Sequence, residues 1–366
     1  MYTESGPLVE RRFDQEFVAQ QRVHRMVLPD LEQKFEAILT GRGWQRLPEL
    51  APGIAYPGIE DWVDLQISSG QGVKFYPCLI RDALGVTRFL KVQLTQKNGR
   101  FGMPTDQIIA KEARILRSGV LPVLTPAYVE HGSGGETSLA FLCVEAIGME
   151  EGQVLAGQEW HPGSSKSAAV QIRALEGVPL ARLNALFTQT DQTTDVGATI
   201  AELALRAAPH LDASLLADVL ALVQGGPLPD VLIHGDLTLN NVIVRTCGNT
   251  EFIDWETAGV GSLGRDASKL LGGLANNSSA KDAFISAYVR GQDQVLDRQR
   301  LRGLYLGKIT ENLTHLVWRV ERMTASLESK YPGIREQSVG FHENIRTDVS
   351  EYRHLAEKYK EVVARQ

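Results

Sequence analysis

The run His234-Gly235-Asp236-Leu237-Thr238-Leu239-Asn240-Asn241 is followed, thirteen residues after Asn241, by Asp254 in Ile253-Asp254-Trp255-Glu256, and these residue types suit one chemistry. Asp236 offers a carboxylate that can receive a proton, while the Asn241 amide oxygen and the Asp254 carboxylate are hard oxygen donors that suit Mg²⁺. A proton acceptor beside such a pair is what phosphoryl transfer from a nucleotide needs. The neighbouring residues predict the elements that hold them. Val231 to Ile233 form a short lead-in strand, a loop carries Asp236 and Asn241, and Val242 to Val244 return as a strand. That strand turns through Cys247-Gly248-Asn249 into Glu251 to Asp254, so Asp236, Asn241 and Asp254 can converge at one end of a hairpin.

The elements around this hairpin divide the chain in two. Residues 1–56 carry a helical pattern, with Phe17, Val18, Val23, Met26 and Val27 recurring at three- and four-residue steps before Pro29, and read as a helical preface. From Asp64 to Val144, short runs rich in β-branched and aromatic residues (LQIS, KFYPCLI, TRFLKVQL, PAYVE and LAFLCVEAI) are separated by SSGQG, DALG and GSGGE. They predict a five-stranded antiparallel sheet, with one helix, DQIIAKEARILRSG, inserted between the third and fourth strands. Beyond residue 150 the pattern is helical except around the hairpin. The expected architecture is α+β and bilobal: an extension over 1–56, an N-terminal lobe over 57–147 and a mainly helical C-terminal lobe over 148–366.

HGDLTLNN followed by FIDWE resembles the catalytic and metal-binding motifs of the aminoglycoside phosphotransferase and choline kinase family, small-molecule relatives of the protein kinases. The resemblance covers residues 60–325. It implies a protein-kinase-like fold, with Asp236 accepting the proton of a substrate hydroxyl, Asn241 and Asp254 holding Mg²⁺, and His234 supporting the loop. Asp266, in Gly264-Arg265-Asp266, resembles the family's Asp that closes this region in a structural role. Lys91, in Arg88-Phe89-Leu90-Lys91-Val92, interrupts an apolar run where a charge is costly without a partner. It fits the family's phosphate-anchoring Lys, and Glu112 on the inserted helix fits that lysine's partner. Glu145 and Ile147 occupy the position of the interlobe hinge, whose backbone meets the adenine. Ser69 and Gly70, in Ser68-Ser69-Gly70-Gln71-Gly72, are placed to cover phosphates, although the segment is no strict G-x-G-x-x-G and reads equally well as a plain turn.

Composition excludes several classes. The 366 residues exceed what one core holds, and 43% hydrophobic with 22% charged residues is ordinary for a folded protein. A net charge of −6 supplies no basic field for nucleic acid. No apolar run is long enough to span a membrane, and the N-terminus lacks the pattern of a signal peptide, so a cytoplasmic location is expected. The three cysteines, Cys78, Cys143 and Cys247, form no CxxC pair and read as reduced thiols. WHPGSSKS lacks the Gly-Lys-Ser of a Walker loop and reads as a loop entering a helix, and His315 and Trp318 read as helix-packing residues.

The resulting expectation is an ATP-dependent kinase, with GTP the other candidate donor and Mg²⁺ the cofactor, acting on the hydroxyl of a small molecule. Residues 136–265 hold sixteen acidic and six basic side chains, and residues 266–366 thirteen acidic and sixteen basic. The late helices usually shape the acceptor pocket, and a positive balance there favours a neutral or anionic acceptor such as a sugar or sugar acid. Two alternatives are a nucleotide-binding pseudokinase and an atypical protein kinase. The presence of all five polar parts argues against the first, and the missing Ala-Pro-Glu pattern after Asp254 against the second.

Overall fold

Strand alternation and helical stripes sort the chain into two compact units: residues Met1–Gly119 with Pro126–Val154, and residues Val120–Thr125 with Leu155–Gln366. The structure is a computed structural model that describes residues 30–51, 54–55, 57–68, 75–94, 105–133, 139–147, 160–183, 186–187, 196–291, 293–322 and 343–357.

In the first unit, helix α1 (30–42) precedes three short strands, β1 (Gln45–Arg46), β2 (Glu49–Ala51) and β3 (Ile54–Ala55). Helix α2 (Ile59–Ser68), strands β4 (Phe75–Arg81) and β5 (Thr87–Gln93), helix α3 (Thr105–Arg117) and strands β6 (Tyr128–Gly132) and β7 (Phe141–Glu145) follow. The five-stranded sheet runs β1-β4-β5-β7-β6, with every pair antiparallel. Alternation gives it two buried faces. Tyr76, Cys78, Leu90, Val92, Phe141 and Cys143 pack with Leu31, Phe35 and Ile38 of α1 and Ile59 and Val63 of α2, whereas Leu142 and Val144 meet Ile109 and Ala113 of α3.

Two expectations need correction here. LQIS is the end of α2 and not the first strand, because Ile59 and Val63 recur at a four-residue step and Glu60 and Asp61 occupy the helix's favourable first turn. The sheet's first strand is Gln45–Arg46, which lies within the segment expected to be a helical preface. The order of three strands, helix and two strands is kept. Cys78 and Cys143 are buried, and desolvation pushes both thiols up to about 12, while Cys247 is exposed.

The second unit contains α4 (Pro162–Glu176), α5 (Val196–Ala207), α6 (Ala213–Val223), β8 (Asp230–Ile233), β9 (Val242–Val244), β10 (Thr250–Phe252), β11 (Gly259–Ser262), α7 (Arg265–Gly273), α8 (Ser278–Val289), α9 (Gln294–Arg322) and α10 (343–357). Helices α5, α6, α9 and α10 share an aliphatic core that includes Ile200, Val219, Ile309, Leu313 and Ile345. His315, expected to pack, is exposed on α9. The segment WHPGSSKS, read as a loop entering a helix, carries that helix's cap: the His161 ring Nδ1 accepts from the backbone of Gly163 and Ser164. Leu124 joins this unit, donating its N–H to Gln171 Oε1 at 2.8 Å and accepting from Phe252 at 3.0 Å. Among the described residues, no helix is long and apolar enough to cross a membrane.

Candidate active site

In the second unit, four short strands frame the motif residues. Strand β8 pairs antiparallel with β11, Ile233 opposite Gly259, and β9 pairs with β10, Val242 opposite Phe252. The β9–β10 turn closes with Gly248 at φ 86° and a Gly248-to-Arg245 hydrogen bond of 2.8 Å. Beyond the last ladder pair, the Ile253 N–H donates to Asn241 O at 3.0 Å. Asn241 and Asp254 therefore leave the same end of one hairpin, as their spacing predicts.

The loop from His234 to Asn241 is held mainly through its backbone. Asp266, on the first turn of α7 and 3% exposed, accepts the His234 N–H at 2.5 Å and the Gly235 N–H at 2.9 Å, one on each carboxylate oxygen. The Thr257 hydroxyl donates to His234 O at 2.8 Å. The buried His234 ring donates Nε2–H to Ile253 O at 2.8 Å and lies 4.6 Å from the Trp255 ring. Gly235 has φ 83°, and a Cβ there would sit 2.4 Å from Thr257 O, so only glycine fits this turn.

Asp236 and Asn241 emerge from this scaffold close together. Asn241 Nδ2 donates to Asp236 O at 2.7 Å, so the nitrogen of the amide is committed to the loop and its oxygen is the atom suited to a cation. Asp254 is the one non-glycine residue with positive φ among the described residues, at φ 64° and ψ 62°. Such left-handed backbone costs free energy and concentrates where a side chain must be aimed for chemistry. One amide oxygen and one carboxylate form a sparse donor set, which fits Mg²⁺ because that ion usually completes its shell with phosphate oxygens and water. Among the described residues no group of three or more His, Cys, Asp or Glu side chains forms a fuller metal cluster.

The motif gave no warning of Lys269. Its ammonium donates to Asp236 Oδ1 at 2.7 Å and to Gly235 O at 3.0 Å, and both side chains of the pair are 26% exposed. The available signal was helical spacing: Lys269 lies three residues after Asp266 and so shares its face of α7. A second omission is the buried Glu176, which accepts from Tyr288 Oη at 2.5 Å, Gly264 N–H at 3.2 Å and Arg300 Nε at 3.3 Å. Burial pushes its carboxyl up to about 7 in spite of these donors.

In the first unit, alternation along β5 turns Leu90 and Val92 toward α1 and Lys91 toward α3, where its ammonium lies 3.0 Å from Glu112 Oε2. Both side chains are buried, and the ammonium stands 4.4 Å from the Phe75 ring centre. Glu145 is exposed at the end of β7, with its N–H donating to Ala127 O at 2.9 Å, and Ile147 is half-buried two residues later. Ser69 and Gly70 lie outside the described residues.

The sequence pattern of the phosphotransferase enzyme family matches residues 109–304, a stretch that contains Glu112 and the whole His234–Asp266 region. No match was found among curated proteins. Among solved structures, a choline/ethanolamine kinase family protein from Mesorhizobium loti aligns over 76% of this chain and 88% of its own, with 19% identity and a TM-score of 0.48. A macrolide 2'-phosphotransferase from Brachybacterium faecium aligns over 77% and 97%, with 18% identity and a TM-score of 0.49. The GDP complex of an aminoglycoside 2'-phosphotransferase-IIIa aligns over 77% and 91%, with 16% identity and a TM-score of 0.48.

Proposed function

Since the chain belongs to the phosphotransferase enzyme family, we propose that it moves the γ-phosphoryl group of ATP, with GTP as the alternative donor, to a hydroxyl of a small molecule. The observation that carries this reading is the joint anchoring of Asp236, Asn241 and Asp254. Asn241 bonds the Asp236 backbone, and Ile253, next to Asp254, bonds the Asn241 backbone.

In the proposed step the acceptor oxygen forms a bond to the γ-phosphorus as the bond from that phosphorus to the β–γ bridging oxygen breaks. The electron pair leaves with the nucleoside diphosphate, and the hydroxyl proton passes to an Asp236 carboxylate oxygen. Asn241 and Asp254 would hold Mg²⁺, which supplies neutralisation of phosphate charge when bound. His234 and Asp266 keep the loop in place without meeting the reacting atoms. Lys91, oriented by Glu112, would anchor donor phosphates, and the backbone at Glu145 and Ile147 would receive the base. Positioning and charge neutralisation then supply most of the rate.

Coupled ADP release from Mg·ATP, measured against pooled sugars, hydroxy acids, amino alcohols, nucleosides and aminoglycosides, tests this reading. Release that depends on a pool and disappears in Asp236→Asn supports it. ATP binding without release on any pool would favour a pseudokinase, and transfer confined to proteins a protein kinase.

A further inference from the structure

Three residues on one face of α7 grip the proposed catalytic loop at successive levels. Asp266 binds the His234 and Gly235 N–H groups, Lys269 binds Gly235 O and Asp236 Oδ1, and Gly273 lies so close that a Cβ there would meet Leu239 at 2.5 Å. The 266, 269 and 273 spacing is that of a single helical stripe. Asp266 and Gly273 account for the packing of this stripe. Lys269 does something further, because it sets a positive charge against the carboxylate that is to receive the acceptor's proton.

We propose that Lys269 is a specificity-determining residue, and that the acceptor carries a carboxylate or phosphate group near its reacting hydroxyl. The inference rests on the reading of Asp236 as the base. An ammonium has three N–H donors, and two of them go to Gly235 O and Asp236 Oδ1. The remaining donor suits an anionic oxygen, and the pair's 26% side-chain exposure leaves room for a ligand to reach it. The same ammonium cancels the negative charge that would draw an amine to Asp236, and it repels an acceptor amine placed beside the hydroxyl. The chain from 266 onward, to which Lys269 belongs, carries the excess of basic over acidic side chains already noted.

The test uses the full chain with Mg·ATP and acceptors matched in size. D-glycerate, gluconate and glucose 6-phosphate are the anions, glycerol and glucose the neutral compounds, and ethanolamine, glucosamine and kanamycin the amines. ADP release should be fastest with an anion. Lys269→Met should raise the KM for that anion at least tenfold while the KM for ATP moves less than twofold, and Lys269→Arg should recover most of the loss. Lys269→Glu should shift preference toward the amines, a change that a merely structural lysine would not produce. Thermal midpoints and calorimetric binding of the same acceptors to the ADP·Mg complex accompany each variant. An amine as the best wild-type acceptor, an unchanged anion KM in Lys269→Met, or no anion binding by calorimetry would overturn the proposal while leaving Asp236 as the base. Retained turnover in Asp236→Asn would instead remove the reading on which it stands.

Discussion

Glu176 and Asp236 are carboxylates of the same unit, each touching a cation, and their surroundings are opposite. Glu176 is sunk between α4, α8 and α9, its side chain 3% exposed, with donors from Tyr288, Gly264 and Arg300 around it. Asp236 stands on a loop fixed from behind, its own side chain 26% exposed and bonded to the Lys269 ammonium. A carboxylate ringed by protein donors has little capacity for a ligand, whereas an open one on a rigid backbone can trade its partner for substrate. The contrast separates an ion pair that holds helices together from one proposed to take part in chemistry, although the two look alike as contacts.

The sharpest way to break this contrast is Asp236→Asn. Removing the proposed general base should lower kcat by about 10²–10⁴-fold, with the thermal midpoint nearly unchanged because the loop's backbone anchors remain. A large loss of stability would place Asp236 in the same class as Glu176. Asp266→Ala makes the opposite test, since its carboxylate serves two buried N–H groups and meets no reacting atom. Leaving both donors unpaired should cost about 4 kcal/mol, read by urea unfolding. Activity should fall with it through displacement of the loop.

How much of this was legible in the sequence varied with the distance over which each feature is determined. The His234–Asn241 loop and the β9–β10 hairpin were readable because their strands, turn glycine and spacing are local. Lys91 and Glu112 were readable in part, since alternation fixes a strand residue's face and three-and-four spacing a helix residue's. LQIS misled because four residues of an apolar run fit either period, and the deciding partners, Ile59 and Val63, lie upstream. The strands between Gln45 and Ala55 are two or three residues long and draw their order from pairing. Glu176 binds residues 88 to 124 positions away, a contact with no local pattern, and Lys269 reaches Asp236 across 33, with its shared helix face with Asp266 as the local signal.

Glu176 also gives the comparison a pH signature. The folded chain holds its proton more tightly than the unfolded chain, with a pKa of about 7 against an ordinary 4.5. The stability it contributes is therefore complete below about pH 4.5 and is lost as pH rises through 7. At about 1.4 kcal/mol per unit, the loss amounts to about 3 kcal/mol. Glu176→Gln should remove this slope, so that in urea unfolding the stability of wild type falls relative to that of the variant between pH 5 and pH 8. Parallel curves would mean that Glu176 stays ionised throughout.

The smallest effect is expected at the pair in the first unit, which combines features of both clusters. Lys91 and Glu112 are buried as Glu176 is, but their proposed task is to meet donor phosphates as Asp236 meets the acceptor. Glu112→Gln keeps the shape of the side chain and removes the charge facing the ammonium, and the Phe75 ring at 4.4 Å retains part of the cation's stabilisation. A cost of about 2 kcal/mol follows for a hydrogen bond to a charged group. If Lys91 binds phosphate, saturating Mg·ATP should return part of that loss, because the nucleotide supplies negative charge in place of the carboxylate. Calorimetric scans with and without nucleotide read this directly. A deficit equal in both would put Lys91 and Glu112 with Glu176, as a pair whose work ends with the fold.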